Sequence, residues 1–198
     1  MGGNAAAPSQ SRVAPTARPA GRRSPRAPGG GAPGSRASVR NRTRNLHEQA
    51  KALLDHHLHD RTVALGLRHG DFSLGNIHVQ GERVTGLIDW DDSDPDGIAM
   101  EDAISHLSSR IVRRVDGFAE TFLGLATREA LHAEESAFLD RCYAYYGMDS
   151  RMHPGLVLLF WAHAIDAQLD FAFAREASYR TSRIHRVLEL FTGDARLR

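Results

Sequence analysis

The sequence predicts an α+β chain that is mostly α, with one small β-hairpin ahead of a helical bundle. Three observations predict it. Leu46, Ala50, Leu53, Leu54 and Leu58 recur at three- and four-residue spacing, the apolar stripe of one helix running to about Leu65. Residues 77–80 and 84–88 alternate or run β-branched on either side of Gly81-Glu82-Arg83, the pattern of two short strands joined by a tight turn. Beyond Asp94-Pro95-Asp96-Gly97 the chain returns to helical spacing.

In order along the chain, Gly66 is expected to close the first helix. The hairpin follows, then helices near 98–112, 117–126, 128–146, 154–176 and 178–192. Gly147 suits a helix end and Pro154 a first helical turn. The segment Leu156–Phe173 is apolar on most faces and is expected to be the central core helix, contributing Trp161, Phe171 and Phe173. These elements make a domain over residues 46–198.

Residues 1–45 are dominated by Ala, Pro, Gly, Ser and Arg and hold almost no large apolar side chain. Such a segment buries too little surface to offset its ordering entropy and is expected to be a disordered tail. Its arginines admit a nucleic-acid-binding arm, but no aromatic residues interleave with them for base stacking, so a nucleic-acid partner is not expected. A segment that is not native coding sequence is a third alternative. Gly29-Gly30-Gly31-Ala32-Pro33-Gly34 matches a glycine-rich nucleotide loop in letters only: no strand precedes it, and Pro33 lacks a backbone donor.

The tail carries nine arginines and no acid. The remaining residues hold sixteen basic and twenty-four acidic side chains, so the near-neutral whole is a basic tail on an acidic body. An acidic body favours a cationic small molecule, although acids on solvated helix faces produce the same count. The single cysteine, Cys142, excludes an internal disulfide. No signal-peptide core occurs near the start, and the apolar run Leu156–Ala162 is too short to span a bilayer. A cytoplasmic protein without a membrane partner is expected.

The chemistry concentrates in His69-Gly70-Asp71-Phe72-Ser73-Leu74-Gly75-Asn76 and in Leu87-Ile88-Asp89-Trp90-Asp91. Asp71 is the candidate base for a hydroxyl proton. Asn76 and Asp89 are candidate ligands for Mg²⁺, because hard cations prefer oxygen donors. A hairpin separates Asn76 from Asp89, so strand pairing brings the two together. The plain alternative is that Asp and Asn simply populate turns. His56, His57 and His59 do not share a helix face and are not expected to form a metal site.

The two motifs, in this order and spacing, resemble the aminoglycoside phosphotransferase and choline kinase superfamily over residues 46–192. Ser73-Leu74-Gly75 stands where members often carry His-Pro-Gly. The resemblance implies a protein-kinase-like C-terminal lobe and transfer of the γ-phosphate of ATP, with Mg²⁺, to a hydroxyl of a small molecule. It also implies supporting roles for His69, Asp91 and Asp102, the last hydrogen-bonding the catalytic loop. Which alcohol is phosphorylated is not written in any residue, and a role in antibiotic resistance does not follow from the fold.

The same resemblance implies an N-terminal lobe with a phosphate-clamping strand lysine. Only 68 residues precede His69, and the sole lysine, Lys51, falls on the first helix. The expectation is therefore a truncated kinase that lacks its nucleotide lobe. The alternative is a non-catalytic remnant or binding module that keeps the lobe's fold. Either leaves an apolar face exposed and favours association there.

Overall fold

The computed structural model describes residues 34–198, with side chains from residue 44 onward. The elements that follow build one compact unit over Arg36–Arg198. The disordered tail expected over 1–45 lies outside the described residues as far as residue 33.

Helix α1 spans Gly34–Leu58. It starts twelve residues before the predicted stripe and ends seven residues before the predicted stop. Ala, Arg and Asn after Pro33 tolerate a helix, and a helix nucleated on the apolar stripe extends into them at little cost. It ends because His59 and Asp60 turn the chain, with Asp60 at φ 55°. Leu46, Ala50 and Leu53 of the stripe are buried.

The strands β1 (Leu65–Arg68), β2 (Ile77–Gln80), β3 (Arg83–Leu87) and β4 (Asp94–Ile98) form two antiparallel pairs rather than one hairpin. β2 and β3 are the predicted hairpin, with Val79 opposite Val84 and Ile77 opposite Leu87. β1 pairs with β4, Leu65 opposite Ile98 and Gly66 opposite Gly97, so Gly66 sits in a strand instead of closing a helix. Pro95 falls within an irregular stretch of that register, where a missing donor is tolerated. Gly97 is required: a Cβ there would lie 2.6 Å from the Arg68 Cβ across the pair.

The helical body holds α2 (Met100–Ile111), α3 (Phe118–Ala126), α4 (Ala133–Tyr146), α5 (His153–Asp166), a short α6 (Ala177–Tyr179) leading into a π-helical stretch over Arg180–His185, and α7 (Arg186–Gly193). Met100, Ile104, Leu107 and Ile111 of α2 meet Leu125, Leu139, Leu156, Leu158 and Phe191 in one core. The predicted helix from 128 starts at Ala133, since Arg128 adopts φ 62°. The predicted helix 154–176 ends at Asp166. Trp161 is buried, but Phe171 and Phe173 are exposed and stack on each other at 5.5 Å. Their apolar character made the segment look like continuous core. No helix among the described residues is long and apolar enough to cross a membrane.

Candidate active site

Strand β1 delivers the chain into the loop that carries Asp71. His69 is buried, and its Nε2–H donates to the Ile88 carbonyl at 2.9 Å, while its ring lies 4.5 Å from the Trp90 ring. Gly70 follows at φ 89°, and a Cβ on it would fall 2.2 Å from the Asp92 carbonyl oxygen. Both facts restrict the position to glycine. Asp102, in the first turn of α2, accepts from the His69 N–H at 2.7 Å and the Gly70 N–H at 3.1 Å. The carboxylate thus satisfies two main-chain donors that the loop itself leaves unpaired.

Asp71 is exposed at the top of this loop. A short 3₁₀ turn, Leu74–Asn76, then returns the chain so that Asn76 Nδ2 donates to the Asp71 carbonyl at 3.0 Å and to Asp71 Oδ2 at 2.9 Å. The Asn76 carbonyl accepts from the Ile88 N–H at 3.1 Å. Asp89 is the next residue, at φ 65°. Asp is one of the few side chains that occupy this left-handed region readily, and backbone strain of this kind clusters at functional sites. Asp89 and Asp91 are exposed and have no hydrogen-bond partner among the described residues.

The donor chemistry here suits Mg²⁺. With Nδ2 committed to Asp71, Asn76 presents Oδ1 as its remaining polar atom, and Asp89 adds an unengaged carboxylate. Mg²⁺ takes one or two such protein oxygens and fills its octahedron with phosphate and water. No group of three or more His, Cys, Asp or Glu side chains that could hold a metal occurs among the described residues, the His56, His57 and His59 trio included.

Beside the loop lies a cavity of about 630 Å³ lined by Asp71, Asp92, Arg68, His163, Asp166 and Gln168, among others. Its far wall is the end of α5. Behind it, the buried Glu101 accepts from Arg68 Nη1 and His163 Nδ1 at 2.6 and 2.7 Å. Sequence analysis missed both Glu101 and His163, because nothing in spacing links residues 68, 101 and 163.

Glu135 does not line this cavity. It is buried and accepts from Arg110 Nε at 2.8 Å, from both Arg114 terminal nitrogens and from the His132 N–H at 3.0 Å. Burial alone would raise its pKa, but the Arg114 and Arg110 hydrogen bonds together bring it down to about 2.

A model of the phosphotransferase enzyme family matches residues 9–138. The match begins inside the Arg-rich N-terminal segment and stops within α4, so it takes in both motifs and Asp102. No curated protein and no solved structure matches the chain.

Proposed function

The chain belongs to the phosphotransferase enzyme family, and from that premise we propose that it is a small-molecule kinase: ATP and an alcohol give ADP and a phosphate ester. The alcohol oxygen attacks the γ-phosphorus, the bond to the β–γ bridging oxygen breaks, and the hydroxyl proton passes to Asp71. Asn76 orients Asp71 and, with Asp89, would hold Mg²⁺. When bound, Mg²⁺ neutralises charge on the nucleotide phosphates. Asp102 and His69 keep the loop in place, and Asp91 adds negative charge beside Asp89. The acidic groups around the cavity favour a cationic alcohol.

The observation that carries this reading is the double hydrogen bond from Asn76 to Asp71 in a loop pinned by Asp102. A mere turn needs neither the cross-loop amide nor the two main-chain bonds from a separate helix. Isothermal titration with Mg·ATP tests it. Heat at millimolar nucleotide that disappears in Asp89→Asn supports the kinase, and its absence in the unsubstituted protein contradicts an enzyme that acts alone.

A second reading, a binding module with the fold of a catalytic lobe, is favoured by Lys51. It lies on α1, exposed to solvent, and not on a strand facing the loop. Leu65 and Leu67 share a face of β1 and are 63% and 65% exposed, and the cross-strand pair Val79 and Val84 is exposed as well. Exposed apolar side chains of this kind suit association with a partner.

A further inference from the structure

We infer that His163 is an acceptor-binding residue, its tautomer set by Glu101 so that Nε2 receives a hydrogen bond from the substrate in the cavity it shares with Asp71. The inference rests on the assignment of Asp71 as the base only for the identity of the bound alcohol as substrate.

Glu101 is 2% exposed, and a carboxylate at that depth is retained only when paired. One of its oxygens accepts from Arg68 Nη1, and the other faces His163 Nδ1 at 2.7 Å. A carboxylate donates nothing, so the Nδ1 position carries the proton. In its neutral form the ring then presents a bare Nε2 lone pair, and Nε2 has no partner among the described residues. The two partners of Glu101 differ in one respect. Arg68 is largely covered, while half of the His163 side chain is exposed in the cavity wall. A purely structural partner has no need of that exposure, whereas a ligand-binding one requires it.

Asp166 lies three residues further along α5, on the same face, and lines the same cavity. The bare imidazole nitrogen and the carboxylates of Asp71, Asp92 and Asp166 are acceptors, and they outnumber the donor groups of Arg68 and Gln168 in the same lining. The ligand they fit is rich in donors: hydroxyl groups, ammonium groups or both. At about 630 Å³ the cavity holds a small molecule.

The full chain labelled with ¹⁵N in histidine tests this directly by long-range ¹⁵N–¹H correlation at alkaline pH, without nucleotide or metal. The expected result is a His163 ring protonated at Nδ1 and bare at Nε2, with the Nε2 resonance moving on addition of ethanolamine or myo-inositol. The cationic and the neutral probe distinguish ammonium from hydroxyl donors. His163→Phe keeps the ring volume and should weaken the responding probe about tenfold, the loss of one hydrogen bond. A ring protonated at Nε2, no response of Nε2 to either probe, or equal affinity in His163→Phe each overturns the inference. A chain whose Nε2 responds to a probe but that gives no heat with Mg·ATP counts against the kinase reading and leaves this one standing.

Discussion

Asn76 donates its side-chain amide to Asp71 twice, to the main-chain carbonyl at 3.0 Å and to Oδ2 at 2.9 Å. The first bond closes the loop and the second aims the carboxylate. Asn76→Asp replaces the donor with a second negative charge at that distance. The base should turn away, and phosphoryl transfer to water or a probe alcohol should fall at least about 100-fold. The thermal midpoint should stay nearly constant, since both side chains are solvent-accessible. Radiolabelled ATP turnover beside calorimetry separates the two effects.

Asp71→Asn preserves the shape of the loop and removes the proton acceptor. Turnover should drop by about 10²–10⁴, while the affinity for Mg·ATP measured by titration stays close to that of the unsubstituted protein. Equal losses in both quantities would make Asp71 a structural residue.

Asp102→Ala strips the His69 and Gly70 N–H groups of their acceptor. Leaving buried donors unpaired costs about 1–3 kcal/mol each, and water reaching the loop recovers part of it. Urea denaturation should show a loss of about 2 kcal/mol. Asp102→Asn keeps one acceptor oxygen and should lose less.

Acid should destabilise the fold in two stages. His153 is buried, with its Nε2–H on the Leu125 carbonyl and the Tyr143 hydroxyl on Nδ1. Burial holds its pKa down at about 4. Between the usual 6.5 and about 4 the unfolded chain binds a proton that the folded chain refuses, so stability falls as pH drops through that window, by about 3 kcal/mol in all. Glu135, lowered from 4.5 to about 2, adds stability that is present above 4.5 and is lost as pH falls toward 2. Urea midpoints measured against pH should show both slopes, and His153→Gln should flatten the upper one.

Glu135→Gln leaves Arg110 and Arg114 facing a neutral amide in a largely buried setting. Breaking a buried ion pair from one side costs about 3–5 kcal/mol, and partial exposure of Arg110 places this case at the lower end. A drop in thermal midpoint without any change in Mg·ATP affinity is the expected outcome, because the hydrogen bonds of this cluster lie within residues 110–114 and 130–135.

Local features were legible in the sequence. The β2–β3 hairpin follows from a turn tripeptide between alternating and β-branched stretches, and α2 and α3 begin and end within two residues of their apolar periodicity. Pairings between distant segments were not. β1 reads only as Leu-Gly-Leu-Arg, and its partner β4 contains Asp94 and Pro95, so neither looks like a strand until the two meet. The end of α5 was hidden because Phe171 and Phe173 are apolar yet stack on each other outside the core. At the site, Asp71, Asn76 and Asp89 stood out by spacing. Glu101 and His163 did not, because their relation exists only once α2 packs on α5.

Paramagnetic broadening by Mn²⁺ with a non-hydrolysable ATP analogue tests the central claim most directly, since Mn²⁺ takes the oxygen ligands that Mg²⁺ prefers. The account predicts that the Asn76 side-chain amide and the Ile88 and Asp89 backbone resonances broaden first, and that Asp89→Asn abolishes the effect. Broadening centred elsewhere in the fold, or none at all, would contradict it.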